Sequence, residues 1–120
     1  MRTDFTKAQK IFIAPGKTDL RKGIRGLAAI VQQNFQLDPF TDSLFLFCGT
    51  RKDRIKALYW TGQGFMLVYL RLAEGRRFIW PKDAEAVREL SLRQLNWLLE
   101  GLSVDTDVRV EQYRAVHTAV

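Results

Sequence analysis

The residues best suited to chemistry form a cationic run, Arg51-Lys52-Asp53-Arg54-Ile55-Lys56. Guanidinium and ammonium groups held side by side attract polyanions and pair with phosphate oxygens. Strand alternation places Arg54, Lys56, Leu58 and Trp60 on one face and Ile55, Ala57 and Tyr59 on the other. One face is then cationic and the other core. Arg71 and the pair Arg76-Arg77 follow across a hairpin and extend the same surface, with Trp60 or Tyr69 as a stacking plane for an exposed base. A second patch, Arg21, Lys22 and Arg25, falls within about a quarter turn of one helical wheel. The same cations equally suit a solvated sheet edge, where lysine and arginine prevent edge-to-edge association. Charge by itself leaves both readings open.

Other chemistries find less support. Metal-dependent cleavage of a phosphodiester needs carboxylates converging on divalent cations. Before the C-terminal third the acids are Asp4, Asp19, Asp38, Asp42, Asp53 and Glu74, and none forms a recognisable ligand pair. Asp19 suits a helix cap, Asp38 a turn before proline, and Asp53 an ion pair with its cationic neighbours. His117, the single histidine, lies in the tail beside no nucleophile, and the single cysteine, Cys48, sits in an apolar run as a buried hydrophobe. Gly16-Lys17-Thr18 matches the end of a phosphate-binding loop, but Ile11 stands where the motif needs its first glycine, and a turn entering a helix explains the residues as well. No catalytic residue, cofactor or metal is assigned.

The balance of 19 Lys and Arg against 13 Asp and Glu gives a net charge of +6. DNA, RNA and acidic protein all answer to it. The distribution is uneven: seven basic against two acidic residues over 1–37, seven against two over 49–77, and five against seven over 81–120. Basic surface is therefore expected in the first two-thirds. A length of 120 residues with 47% hydrophobic content fits one domain with one core. No apolar run is long enough for a membrane helix, and Met1 to Lys10 is too polar for the core of a secretory signal, so a cytoplasmic protein without membrane contact is expected. No small-molecule substrate is expected.

These cations need elements to hold them. Residues 1–9 lack apolar periodicity and are expected to form a mobile arm. Lys10 to Ala14 reads as a strand stopped by Pro15-Gly16. Thr18 or Asp19 offers a cap for a helix to about Phe35, with Leu20, Ile24, Leu27, Val31 and Phe35 as its core stripe. Asp38-Pro39-Phe40 breaks that helix. Leu44 to Cys48 is apolar throughout and should be a central strand covered on both faces. Arg54 to Trp60 and Phe65 to Arg71 make a hairpin about Thr61-Gly62-Gln63-Gly64. Ala73-Glu74-Gly75 turns the chain into a further strand, Arg76 to Trp80, closed by Pro81. Ser91 and Gln94 make a capping box for a second helix with a stripe of Leu92, Leu95, Leu98, Leu99 and Leu102, ending near Gly101. Asp83 to Leu90 suits helix or loop, and Val108 and Val110 alternate weakly as a strand. The expected architecture is α+β: an antiparallel sheet of about four to five strands packed with two main helices. The domain spans 1–102, and 103–120 forms a C-terminal extension of unassigned structure.

Several short motifs occur in a telling order: Thr18-Asp19-Leu20-Arg21-Lys22-Gly23, Gly26-Leu27, Asp38-Pro39-Phe40, Leu44-Phe45-Leu46-Phe47 and Asp53-Arg54-Ile55-Lys56. Tyr59-Trp60, Gly62-Gln63-Gly64-Phe65, Arg71-Leu72, Phe78-Ile79-Trp80-Pro81 and Leu98-Leu99-Glu100-Gly101-Leu102 follow. Their order and spacing, from about Pro15 to Leu102, resemble the transposase accessory protein TnpB of the insertion sequence 66 family. The resemblance implies a non-catalytic partner of a separate transposase in a bacterial mobile element. That transposase and DNA are the partners it leads one to expect. It carries no catalytic residue over to this chain.

Overall fold

The computed structural model describes residues 7–82 and 86–105. Most of the expected arm, part of 83–90, and the tail with Val108, Val110 and His117 lie outside the described residues. The elements in chain order are β1 (Lys10–Ile13), α1 (Ile24–Gln33), β2 (Ser43–Cys48), β3 (Arg54–Trp60), β4 (Phe65–Arg71), β5 (Arg88–Leu90) and α2 (Leu92–Leu99). The five strands make one sheet in the order β4-β3-β2-β1-β5. The fold is α+β, but the sheet is mixed: β1 runs parallel to β2, with Ile11 beside Leu44 and Ile13 beside Leu46, while the other pairs are antiparallel. The cause is α1. A helix between two neighbouring strands carries the chain back to its starting end, so the second strand must run in the direction of the first.

β2 is central, as its apolar run predicts, and all six of its residues are buried. On one face Ile11, Ile13, Leu44, Leu46, Ile55, Ala57 and Tyr59 pack with Phe78, Trp80, Leu95, Leu98 and Val104. On the other, Phe45, Phe47 and Leu58 meet Leu27, Val31 and Phe35 from α1 and its exit. Both faces of the sheet are therefore core, and the face of Arg54 and Lys56 is cationic only beyond the edge of α1.

The β3–β4 hairpin has the expected ends, with Arg54 opposite Arg71 and Trp60 opposite Phe65. Gly62 takes φ 99°, which a side chain would resist, and the Thr61 hydroxyl donates to the Gly64 carbonyl at 2.9 Å, closing the turn.

Four expectations are corrected. First, α1 begins at Ile24, not near Thr18, with Gly23 as its N-cap. Asp19 caps nothing there: its carboxylate accepts from the Arg21 backbone N–H at 3.0 Å and from the Arg21 guanidinium at 2.8 Å. Arg21, Lys22 and Leu20 thus sit in the β1–α1 connection, and of that patch only Arg25 is helical. Second, Arg76 to Trp80 is not a strand. The segment is held by single anchors, Phe78 N–H to the Lys52 carbonyl at 2.7 Å and Trp80 Nε1 to the Ala14 carbonyl at 2.8 Å. Third, the place of a fifth strand goes to β5, whose Arg88 to Leu90 pairs with β1. Fourth, α2 has its Ser91–Gln94 capping box, but Trp97 joins Leu95 and Leu98 in the core while Leu92 and Leu99 face outward. Its exit follows the glycine pattern: Gly101 at φ 84° lets its own N–H reach the Leu98 carbonyl and that of Leu102 the Trp97 carbonyl.

Candidate nucleic-acid interface

Strand direction decides where the cations collect. β1 and β2 are parallel, so the loops after both leave the same end of the sheet. β3 starts at that end and β4 finishes there, because Arg54 lies opposite Arg71 and Cys48 opposite Ile55. Arg21, Lys22 and Arg25 arrive from the β1–α1 connection and the first turn of α1, Arg51 and Lys52 from the β2–β3 loop, Arg54 and Lys56 from the start of β3, and Arg71 from the end of β4. Arg76 and Arg77 follow in a segment hydrogen-bonded to that loop, Leu72 N–H reaching the Asp53 carbonyl and Phe78 N–H the Lys52 carbonyl, both at 2.7 Å. The basic residues gather at one end of the sheet. They do not spread over a face.

Trp60 does not join them. It shares a face with Arg54 and Lys56 but closes β3 at the far end, about 20 Å away at roughly 3.3 Å per residue. There its ring packs edge-on against Phe40 and Phe65, with centroids 5.0 Å apart in each case. Tyr69 is the aromatic at the basic end: it lies opposite Lys56, is 50% exposed, and lines a groove of about 340 Å³ with Arg21, Arg51 and Arg54. Asp38 and Asp42 mark the opposite end, where Asp42 accepts from the buried Tyr59 hydroxyl at 2.6 Å.

Among the described residues acids at the basic end are few, and two of them hold arginines in place. Asp53 pairs with Arg54 at 3.0 Å, as its sequence neighbours suggested, and Asp19 pairs with Arg21. Hydrogen bonding to Arg21 pulls the Asp19 carboxyl down to about 2, and bonding to Arg54 lowers that of Asp53. These pairs preorganise two guanidinium groups while cancelling part of their charge. Lys56 does the reverse: its ammonium donates to the Lys22 carbonyl at 2.9 Å, keeping its charge while tying β3 to the loop before α1. Helix α1 then begins without a side-chain cap and with no acid in its first turn, so its positive end adds to the same field.

Two further cations belong here that the charge runs did not single out for binding. Lys17 and Lys82 flank Lys52 around a second cavity, of about 370 Å³, which shares Gly49 and Thr50 with the first. No local signal marked Lys82, since its approach depends on the Gly16 N–H bonding the Pro81 carbonyl at 2.8 Å across the fold. Burial pushes the Cys48 thiol up to about 11, so it stays neutral under the basic loop. Among the described residues no three His, Cys, Asp or Glu side chains converge as metal ligands, and no helix is long and apolar enough to cross a membrane.

The family model described as IS66 Orf2 like protein matches residues 9–109. The chain belongs to this family. Its members are accessory proteins of insertion sequences. Two relatives come from Sinorhizobium fredii (strain NBRC 101917 / NGR234): the uncharacterized protein y4hO, 38% identical over 93 residues, covers 78% of this chain and 80% of its own. The uncharacterized protein y4jC is 30% identical over 97 residues, covering 81% and 82%. No solved structure matches.

Proposed function

We propose that this IS66 Orf2-like protein serves transposition by gripping element DNA at the basic end of its sheet, while a separate transposase carries out strand cleavage and joining. The observation that carries the reading is the segregation of charge along the strand axis. Cations from the loops after β1 and β2, the start of β3 and the end of β4 collect at one end, while at the other end Lys10 lies near Asp38 and Asp42. A scattered basic surface would serve solubility equally well. A concentrated one, with two arginines held by aspartates and an exposed tyrosine lining the same groove, has the form of a phosphate-backbone contact with one stacking ring.

Phosphate contact dominates this reading, so affinity should depend steeply on salt and weakly on base sequence. A salt titration against element ends and unrelated duplexes tests it. Steep, near-equal slopes support the reading, and a shallow slope for both removes it. A second reading, docking on the transposase without DNA contact, draws on the outward side of α2, where Leu92 is 52% exposed and Leu99 39% exposed. Co-purification with transposase in nuclease-treated extracts, lost on Leu92→Ser with Leu99→Ser, would favour it.

A further inference from the structure

We propose that the cavity between Lys17, Lys52 and Lys82 is a phosphate-binding pocket that seats one phosphoryl group together with its attached sugar. This deepens the DNA reading and rests on it only for the source of the phosphate. Three observations carry it. The cavity opens beyond the carboxyl ends of the parallel strands β1 and β2, the place where ligands of sheets with parallel strands collect, because the loops leaving those strands surround it. Three lysines line it, each from a separate segment. Each is fixed from behind by backbone bonds, Gly16 N–H to the Pro81 carbonyl at 2.8 Å, Lys52 N–H to the Gly49 carbonyl at 3.2 Å and Phe78 N–H to the Lys52 carbonyl at 2.7 Å. The buried indole of Trp80 forms the wall, held by its bond to the Ala14 carbonyl.

Charge is the second observation. No carboxylate lines the cavity among the described residues. Contact with the Lys82 ammonium, with a further push from Arg77, lowers the affinity of Lys52 for its proton. Like charges drawn together in this way are relieved by an anion. The backbone supplies the third: Lys52 has φ 60°, a left-handed conformation uncommon for lysine and concentrated in proteins at ligand clamps.

The ligand class follows from the donors. Ammonium groups are compact point charges with three donors each, suited to the several oxygens of a phosphate, whereas a planar carboxylate is better matched by the fork of an arginine. At about 370 Å³ the space exceeds what a bare anion fills and admits a sugar as well. The site differs from a phosphate-binding loop, since the Gly16 and Thr18 N–H groups are already committed to the Pro81 and Cys48 carbonyls. Side chains would do the binding.

The test follows backbone amides of Lys17, Thr50 and Lys52 and the Trp80 indole by NMR during titration with inorganic phosphate. A 5′-phosphorylated oligonucleotide and its unphosphorylated twin are titrated next. Saturable shifts confined to these groups, weakened at least tenfold by Lys82→Gln and by Lys52→Asn with the remaining spectrum unchanged, are expected. Asparagine tolerates the left-handed backbone at position 52, so that variant should keep its loop. Shifts that never saturate, or that spread evenly over Arg71, Arg76 and Arg77, would overturn the pocket while leaving the DNA reading intact. Equal seating of both oligonucleotides identifies a backbone phosphate, and preference for the phosphorylated one a terminal phosphate. Saturation by phosphate with no response to either oligonucleotide keeps the pocket, assigns it to a free phosphorylated ligand, and counts against the DNA reading.

Discussion

Arg71→Ala and Lys10→Ala remove the same charge from opposite ends of the protein, and the account requires them to behave differently toward DNA. The register fixes their separation. Arg71 lies opposite Arg54, while Lys10 lies beside Ser43, which is level with Trp60 one residue beyond the Leu44–Tyr59 pair. Six residue steps of roughly 3.3 Å along β3 put about 20 Å between the two levels. At physiological salt the screening length is about 8 Å, so a charge at the Lys10 level acts on a phosphate at the basic end with roughly a tenth of its unscreened strength. Loss of one phosphate contact flattens the slope of log affinity against log salt by about 0.9, a change of roughly threefold in affinity across a fourfold salt range. Arg71→Ala should show that change by fluorescence anisotropy with a labelled duplex, and Lys10→Ala should leave the slope within error of the parent. Equal effects would mean that net charge, not the basic end, attracts DNA, and the reasoning from strand direction would fail.

Further outcomes follow from the same structure. Asp53→Asn frees Arg54 from its carboxylate and should tighten DNA binding and steepen the salt slope, where loss of affinity would show that the pair positions the arginine more than it neutralises it. The Asp19 carboxyl is lowered from 3.8 to about 2 in the folded chain, so its stabilising effect is present above pH 4 and is lost as pH falls toward 2. Melting temperature should therefore drop over that window, and less steeply in Asp19→Asn. Leu58 is fully buried beneath α1, and Leu58→Ala should cost about 2–5 kcal/mol in urea unfolding. Cys48 is buried and neutral, so a thiol-reactive disulfide reagent should label it slowly at pH 8 in the native protein and rapidly in denaturant.

Local structure was legible wherever a short stretch carries its own reason. The β3–β4 hairpin follows from alternation and Gly62, the central place of β2 from an apolar run, and both ends of α2 from Ser91, Gln94 and Gly101. Features decided by distant partners were not legible. Parallel pairing of β1 with β2 depends on α1 returning the chain across the sheet, which no residue in either strand announces. The start of α1 turned on whether Asp19 would cap the helix or bind Arg21, two options open to the same side chain. Trp60 shares the face of Arg54, but facing says nothing about the length of strand between them. For the same reason the cations read as a sheet face, although strand direction collects them at its end. Lys82 reaches the candidate site only because the Gly16 N–H donates to the Pro81 carbonyl.

The central claim is most directly tested by mapping amide and side-chain NMR shifts on a saturating short duplex. The account predicts changes at Arg21, Arg51, Lys52, Arg54, Tyr69 and Arg71, with Phe40, Trp60 and Phe65 unmoved. Shifts centred on those three aromatics, or on Leu92 and Leu99 of α2, would contradict it.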